Sequence, residues 1–333
     1  MGRGYAHEVT TESDAAHDRR RGGDSWGVAA GRLVKRVAAR IGVAKSDVAP
    51  SPDLVDPPPA PGARNRRVTL ANPAQQAAFE RDGYVVVDLA DTAAVAELWG
   101  CYEDLDHATH EDWPWVDGFE TSLYDPRPAY REQILHDAER VLGPALDRVL
   151  VDYRVMFANW LVKVPHAAEV PLHADWTFLD ESRFSSVTVW CPLADTSVAL
   201  GNGPLGVVVG SQLQIDFLRV ANVAAYDRCE QAVEGLERAV PDLRAGQAIV
   251  MDNRVVHFSP PNLTDRARLA LGCVVGPVEA DLHHYWLHDD GRLLRFELDR
   301  SFYLNYTIGQ PEAADGIVDV VEVDDHAAAH SLR

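Results

Sequence analysis

His173 and Asp175, within Leu172-His173-Ala174-Asp175-Trp176, offer an imidazole and a carboxylate two positions apart. In an extended segment residues i and i+2 project to the same face, so both side chains can reach one metal ion. A third ligand is expected at His257, in Val255-Val256-His257-Phe258-Ser259, which follows Asp175 by 82 positions (257 − 175). The chain must therefore bring it back on a later strand. Two histidines and one carboxylate on one face of a metal form the arrangement of non-haem Fe(II) oxygenases, whose opposite face stays open for a co-substrate and O2. An H-x-D pair alone equally describes a buried histidine satisfied by an acid, so the context after His257 carries weight. Ser259 lies two residues on, on the same strand face, and Arg268 eleven residues on (268 − 257), leading the apolar run Leu269-Ala270-Leu271-Gly272-Cys273. A buried fixed cation asks for an anion, and a guanidinium matches a carboxylate bidentately, which suits the distal carboxylate of a dicarboxylic co-substrate. Arg266 shares that face by parity and competes for the role.

The elements that must position these residues fall in the order helices first, strands later. Asn72-Pro73 starts a helix, with an N-cap followed by proline at the first helical position, and Gly83 ends it. Tyr84 to Leu89 reads as a strand, Thr92 to Leu105 as a helix, and Glu132 to Leu150 as a helix broken or bent at Pro144. Between His107 and Arg131 lies an irregular aromatic stretch with Trp113, Trp115, Phe119, Tyr124 and Tyr130 among Glu111, Asp112 and Asp117. Its length suits a lid or a segment docked on the core. Strands are expected at Arg154 to Val164, Ser185 to Cys191, Pro204 to Val209, Gln247 to Phe258, Arg268 to Val275 and Tyr285 to Leu298. The turn Gly201-Asn202-Gly203 separates two of them, and a helical insert spans Ala224 to Ala239. This order predicts an α+β protein with its sheet closed as a barrel or sandwich.

Residues 1 to 66 read as an arm and a linker containing Pro57-Pro58-Pro59-Ala60-Pro61, with contact to a partner or a second copy as an alternative role, so a homodimer is kept open. The oxygenase domain is expected over 67–310 and an acidic tail over 311–333. Of 333 residues, 47% are hydrophobic and 25% charged, ordinary for a globular protein with a sizeable core. The net charge of −20 and pI of about 4.9 oppose binding to nucleic acid or anionic membranes, leaving a small molecule as the expected partner. No apolar run is long enough to span a bilayer and no secretory signal opens the chain, so a cytoplasmic location is expected. Cys101, Cys191, Cys229 and Cys273 are scattered without a C-x-x-C pair. Lysine occurs three times, at Lys35, Lys45 and Lys163; Lys163 and Asn159 share parity on the strand before His173 and could face a pocket. His107 and His110 read as solvated loop residues, and His283, His284 and His288 as members of a hairpin turning at Asp289-Asp290-Gly291.

Four ordered motifs resemble the phytanoyl-CoA dioxygenase-like family of Fe(II)/2-oxoglutarate oxygenases. They are His173-Ala174-Asp175-Trp176, Val187-Thr188-Val189-Trp190, Asn202-Gly203-Pro204-Leu205-Gly206 through Ser211, and His257-Phe258-Ser259 with Asn262 and Arg268. Phe79-Glu80-Arg81-Asp82-Gly83-Tyr84 resembles the family's opening, so the likeness covers about residues 75 to 305. The resemblance implies a double-stranded β-helix, a jelly-roll, cupin-like core with flanking N-terminal helices. It implies His173, Asp175 and His257 as ligands of Fe(II), with 2-oxoglutarate and O2 as co-substrates. Arg268 and Ser259 then hold the 2-oxoglutarate C5 carboxylate, which favours Arg268 over Arg266, and Trp190 and Met156 line the co-substrate pocket. Two departures stand out: Gly210-Ser211-Gln212 replaces a Gly-Ser-His or Thr-His pattern, and no lysine occupies an early position that some members use. Related halogenases lack the carboxylate ligand, so Asp175 favours hydroxylation or another C–H oxidation of a small molecule. A silent or 2-oxoglutarate-independent cupin-like metal-binding protein is the alternative.

Overall fold

The computed structural model describes residues 67–107, 118–216, 218–223 and 225–323. The arm, the acidic end beyond 323, His110 and the lid residues Glu111, Asp112, Trp113, Trp115 and Asp117 lie outside them. Helix α1 spans Pro73–Asp82; the Asn72 carbonyl oxygen of the side chain accepts from the amides of Ala74 and Gln75, and Gly83 closes the helix at φ 84°. Strand β1 (Tyr84–Asp88) and helix α2 (Thr92–Glu103, capped by Asp91) follow, then a short strand β2 (Phe119–Thr121). Helix α3 runs unbroken over Pro128–Val149 with Pro144 inside it, which corrects both the expected start and the expected break. Leu142 before Pro144 and Ala145 and Leu146 after it are buried in one cluster, so packing spans the proline.

Nine strands follow: β3 (Tyr153–Lys163), β4 (Val170–His173), β5 (Val187–Pro192), β6 (Gly206–Val208), β7 (Arg238–Ala239), β8 (Gln247–Asp252), β9 (His257–Ser259), β10 (Arg268–Pro277) and β11 (Leu282–Leu287). With β12 (Leu293–Leu298) and β13 (Ile317–Glu322) they form three antiparallel sheets, ordered β1-β8-β5-β10-β3-β2, β4-β9-β6-β7 and β11-β12-β13. The folded body thus extends past the boundary expected at 310, because β13 pairs with β12. The insert expected at 224–239 is shorter than a full helix: α4 covers Tyr226–Ala232, and Arg238–Ala239 pairs with β6.

The six-stranded sheet is buried on both faces. Val187, Val189 and Cys191 of β5 point outward and pack with Leu98, Ile134, Leu142 and Leu146 of the helices. Trp190 points inward and packs with Ile249, Met251 and Ala270 against Val207 of the four-stranded sheet. This face-to-face pair is the double-stranded β-helix, or jelly-roll, core with helices on one flank. The single strand expected over 247–258 is two. The carboxylate of Asp252 accepts from the Arg254 amide and guanidinium, and the Val255 amide donates to the Asp252 carbonyl. That turn ends β8 in one sheet and starts β9 in the other. The chain crosses the core there, and His257 is the first residue after the crossing.

Leu142 is fully buried between α3 and the sheet. Replacing it by alanine is expected to cost about 2–5 kcal/mol of stability, read as a lower urea midpoint with an unchanged slope.

Candidate metal centre

β4 and β9 are antiparallel neighbours, and His173 pairs directly with His257 in their register. Their rings lie 4.2 Å apart between centroids. β4 ends at His173, so the strand pleat does not aim Asp175. The irregular segment after the strand carries Asp175 back to the same point, where its Oδ1 sits 3.9 Å from His257 Nε2. One donor atom from each of His173, Asp175 and His257 lies within 4.8 Å of the others. Among the described residues no other group of three or more His, Cys, Asp or Glu side chains meets this spacing.

Each histidine is fixed by its own backbone two residues earlier. His173 Nδ1 lies 2.8 Å from the Pro171 carbonyl and His257 Nδ1 lies 3.0 Å from the Val255 carbonyl. A carbonyl only accepts, so each Nδ1 carries the proton and each Nε2 presents a lone pair. Burial, and then the neighbouring His257, pull His173 down to about 4, while Asp175 opposes them. The His173 imidazole is therefore neutral at neutral pH, the form that binds a metal. Two Nε2 atoms and one carboxylate on one side of a point fit a divalent transition metal with open positions opposite.

Asp175 is held by two groups that sequence reasoning did not single out. Its Oδ2 accepts from Thr188 Oγ1 at 2.7 Å, leaving Oδ1 for a metal. Thr188 Oγ1 also lies 2.9 Å from the buried side-chain amide of Asn253. One hydroxyl proton cannot serve both oxygens. With its amide nitrogen turned toward Thr188, Asn253 donates to the hydroxyl and the hydroxyl donates to Asp175, which satisfies an amide nitrogen otherwise buried without a partner. Strand parity with Trp190 was a signal for Thr188. Arg219 gave none: it comes from a distant loop, donates through Nε to the Asp175 carbonyl at 2.6 Å, and pairs with Glu181.

Arg268 opens β10 at the inner face and is buried, whereas Arg266 is exposed. Its Nε donates to the Gly203 carbonyl at 3.1 Å, its Nη1 to the Leu161 carbonyl at 3.2 Å, and its guanidinium lies 5.1 Å from the centroid of the Trp190 ring. Ser259 Oγ donates to the same Gly203 carbonyl at 3.1 Å. Arg268, Ser259 and Trp190 are thus brought together. Met156 is not: it stands in the bulge of β3 opposite Gly276, eight positions along β10 from Arg268 (276 − 268), in the aromatic cluster of Phe157, Phe178 and Tyr303. Asn159 does face inward but donates to Thr121 Oγ1 at 2.8 Å.

Around the centre, Trp176 is half-buried against His284 and Tyr306, while Phe178 is sealed in the core beside Phe157. Tyr124, from the expected lid, titrates above the usual phenol range, first through burial and also through the charge of Asp175. His283 and His284 project to opposite faces of β11, and His288 pairs with Asp290 at the turn, so these three do not converge. His107 is exposed, with Nδ1 against the Tyr130 hydroxyl.

A family model described as phytanoyl-CoA dioxygenase (PhyH) matches residues 79–270, more than half of the chain. The chain belongs to the phytanoyl-CoA dioxygenase family. A curated relative, the phytanoyl-CoA dioxygenase domain-containing protein 1 homolog of Dictyostelium discoideum, is 24% identical over 168 residues. The match covers 45% of this chain and 55% of that protein, so the chain spans about half the length of its relative. Similar solved structures include the epimerase SnoN in complex with Fe3+, alpha ketoglutarate and nogalamycin RO. It is 21% identical with a TM-score of 0.49, covering 76% of this chain and 95% of that one. EctD from S. alaskensis with 2-oxoglutarate and 5-hydroxyectoine is 20% identical with a TM-score of 0.47, covering 71% and 89%. Among the described residues no helix is long and apolar enough to cross a membrane.

Thr188→Val keeps the shape of the side chain and removes the donor to Asp175 Oδ2. Divalent metal affinity is expected to fall about 10–100-fold, read by titrating the metal-free protein with Fe(II) or Co(II).

Proposed function

We propose that the protein is an Fe(II)- and 2-oxoglutarate-dependent dioxygenase that hydroxylates, or otherwise oxidises a C–H bond of, a small molecule in specialised metabolism. The observation that carries the reading is the convergence of His173 Nε2, Asp175 Oδ1 and His257 Nε2 beside a second, buried cationic site. A structural metal would be closed by four protein ligands, whereas three on one side leave room for chemistry. Arg268 supports the co-substrate: it is a buried guanidinium with no carboxylate partner among the described residues. A protein that only held a metal would have no use for it.

In this reading His173, Asp175 and His257 hold the iron, and Arg268 with Ser259 receives the distal carboxylate of 2-oxoglutarate while Trp190 walls the pocket. The iron, with 2-oxoglutarate and O2, supplies oxidative decarboxylation to succinate and CO2 coupled to removal of a substrate hydrogen. The protein's contribution is placement. The Pro171 and Val255 carbonyls hold both imidazoles in the metal-binding tautomer, Thr188 holds the Asp175 carboxylate through Oδ2, and Arg268 would fix the far end of the co-substrate. Trp176 and Tyr124, beside Asp175, offer aromatic surface to a ring or alkyl chain. The surrounding negative charge favours a neutral or amine-bearing substrate.

His257→Ala removes one metal ligand and is expected to abolish succinate release during turnover of 2-oxoglutarate with Fe(II) and O2. Adding 2-oxoglutarate to the anaerobic Fe(II) protein is expected to raise a weak visible charge-transfer band. Its absence would favour a cupin-like protein that uses its metal without this co-substrate.

A further inference from the structure

Lys163 ends β3 directly opposite Arg268 in the antiparallel register, so the two side chains share the inner face of the sheet. Lys163 is fully buried and Arg268 nearly so. The Lys163 ammonium donates to the carbonyls of Ser259 and Pro260, and its stem crosses the face of Gly203, where an added Cβ would sit 2.7 Å from Lys163 Cδ. Gly203 therefore leaves room for the lysine stem as well as offering its carbonyl to Arg268 and Ser259. No carboxylate among the described residues forms an ion pair with either cation; Glu169, an exposed residue before β4, acts on Lys163 only at longer range.

Donor counting points to a missing anion. An ammonium has three donors, and two of the Lys163 donors are spent on carbonyls. A guanidinium has five, and two of the Arg268 donors are spent on Gly203 and Leu161. The remaining donors of both cations have no partner among the described residues. Two buried like charges side by side are unfavourable until an anion joins them.

We propose that Lys163 and Arg268 together form a two-cation pocket for the distal carboxylate of a dicarboxylic 2-oxo acid, and that Lys163 takes up a proton from solvent as that carboxylate docks. This rests on the reading of the site as 2-oxoglutarate-dependent and adds to it a second anchoring residue and a pH dependence. In the free protein, burial and then the Arg268 charge pull Lys163 down to about 7, against a weak opposing effect of Glu169. Burial pulls Arg268 down to about 9. A carboxylate between them reverses the balance at Lys163 and raises its pKa. Proton uptake thus accompanies binding above about pH 7. Affinity is greatest below the free-state value, weakens as pH rises, and levels off above the bound-state value.

The test is titration of the anaerobic Fe(II) protein with 2-oxoglutarate, following the charge-transfer band from pH 6.5 to 8.5, and calorimetry in two buffers of different ionisation enthalpy. The wild type should weaken by up to about tenfold per pH unit above pH 7 and take up a fraction of a proton at pH 8. Lys163→Met should bind more weakly at pH 6.5, lose the pH dependence and the proton uptake, and raise KM for 2-oxoglutarate far more than it lowers kcat. Lys163→Arg should restore part of the affinity without proton uptake. A wild type that binds with no proton uptake and no pH dependence overturns the role of Lys163 and leaves the site reading intact. So does a folded Lys163→Met that binds like the wild type. A wild type that does not bind 2-oxoglutarate at all overturns the site reading and this inference with it.

Discussion

Asp252 holds the chain at the point where it leaves the six-stranded sheet for the four-stranded one. Its carboxylate is buried, accepts from the backbone and guanidinium of Arg254, and is held below the usual carboxylate range by that cation despite burial. The pair fixes both the length of the crossing and its direction. Asn253, inside the same turn, reaches Thr188 and through it Asp175, and Val255 supplies the carbonyl that orients His257. One turn thus sets the position and tautomer of His257 and the orientation of Asp175. A buried ion pair gains little net stability over an apolar replacement, but losing one member leaves an uncompensated charge inside. Its value here lies in specifying where β9 begins.

The charge distribution poses a problem that distance resolves. A protein of net charge −20 repels a dianionic co-substrate at long range, yet the proposed site needs one. Exposed charges are screened over about 8 Å at physiological salt, whereas Lys163 and Arg268 are buried and would act on the anion at contact distance. Local attraction therefore wins once the anion is inside. The acidic exterior acts on encounter and on selection among substrates, and it disfavours anionic ones.

Much of this was legible beforehand because residue types left few options. Asn72-Pro73 and Gly83 bracket a helix for reasons local to those residues, and β5 reads as a strand because β-branched and aromatic residues fill it. His173, Asp175 and His257 were visible from chemistry, although the argument from strand parity reaches only His173. Asp175 lies past the strand and is aimed by Thr188 and Arg219. The break inside 247–258 was hidden because an Asp-headed turn interrupts a run of β-branched residues that reads as continuous. Pro144 was read as a break or a bend by local sterics; the helix runs on through it, with buried neighbours on both sides. Met156 was assigned by resemblance, and a bulge in β3 takes it to the aromatic cluster.

The two histidines show how a fold can set up the proposed metal centre from few parts. Each ring is tied to the carbonyl two residues before it, so each half-site is organised locally, and antiparallel pairing of β4 with β9 then sets the halves face to face. Strand pairing fixes the separation of the rings and the carbonyl bonds fix their rotation. The remaining freedom belongs to Asp175, which lies off the strand, and Thr188 and Arg219 remove it from opposite sides of the residue, one at the carboxylate and one at the backbone. Thr188 bonds to Oδ2, and Oδ1 is the oxygen that faces His257. The hydroxyl of Thr188 thus links the proposed metal site to the inner face of the same sheet that carries Trp190, Arg268 and Lys163.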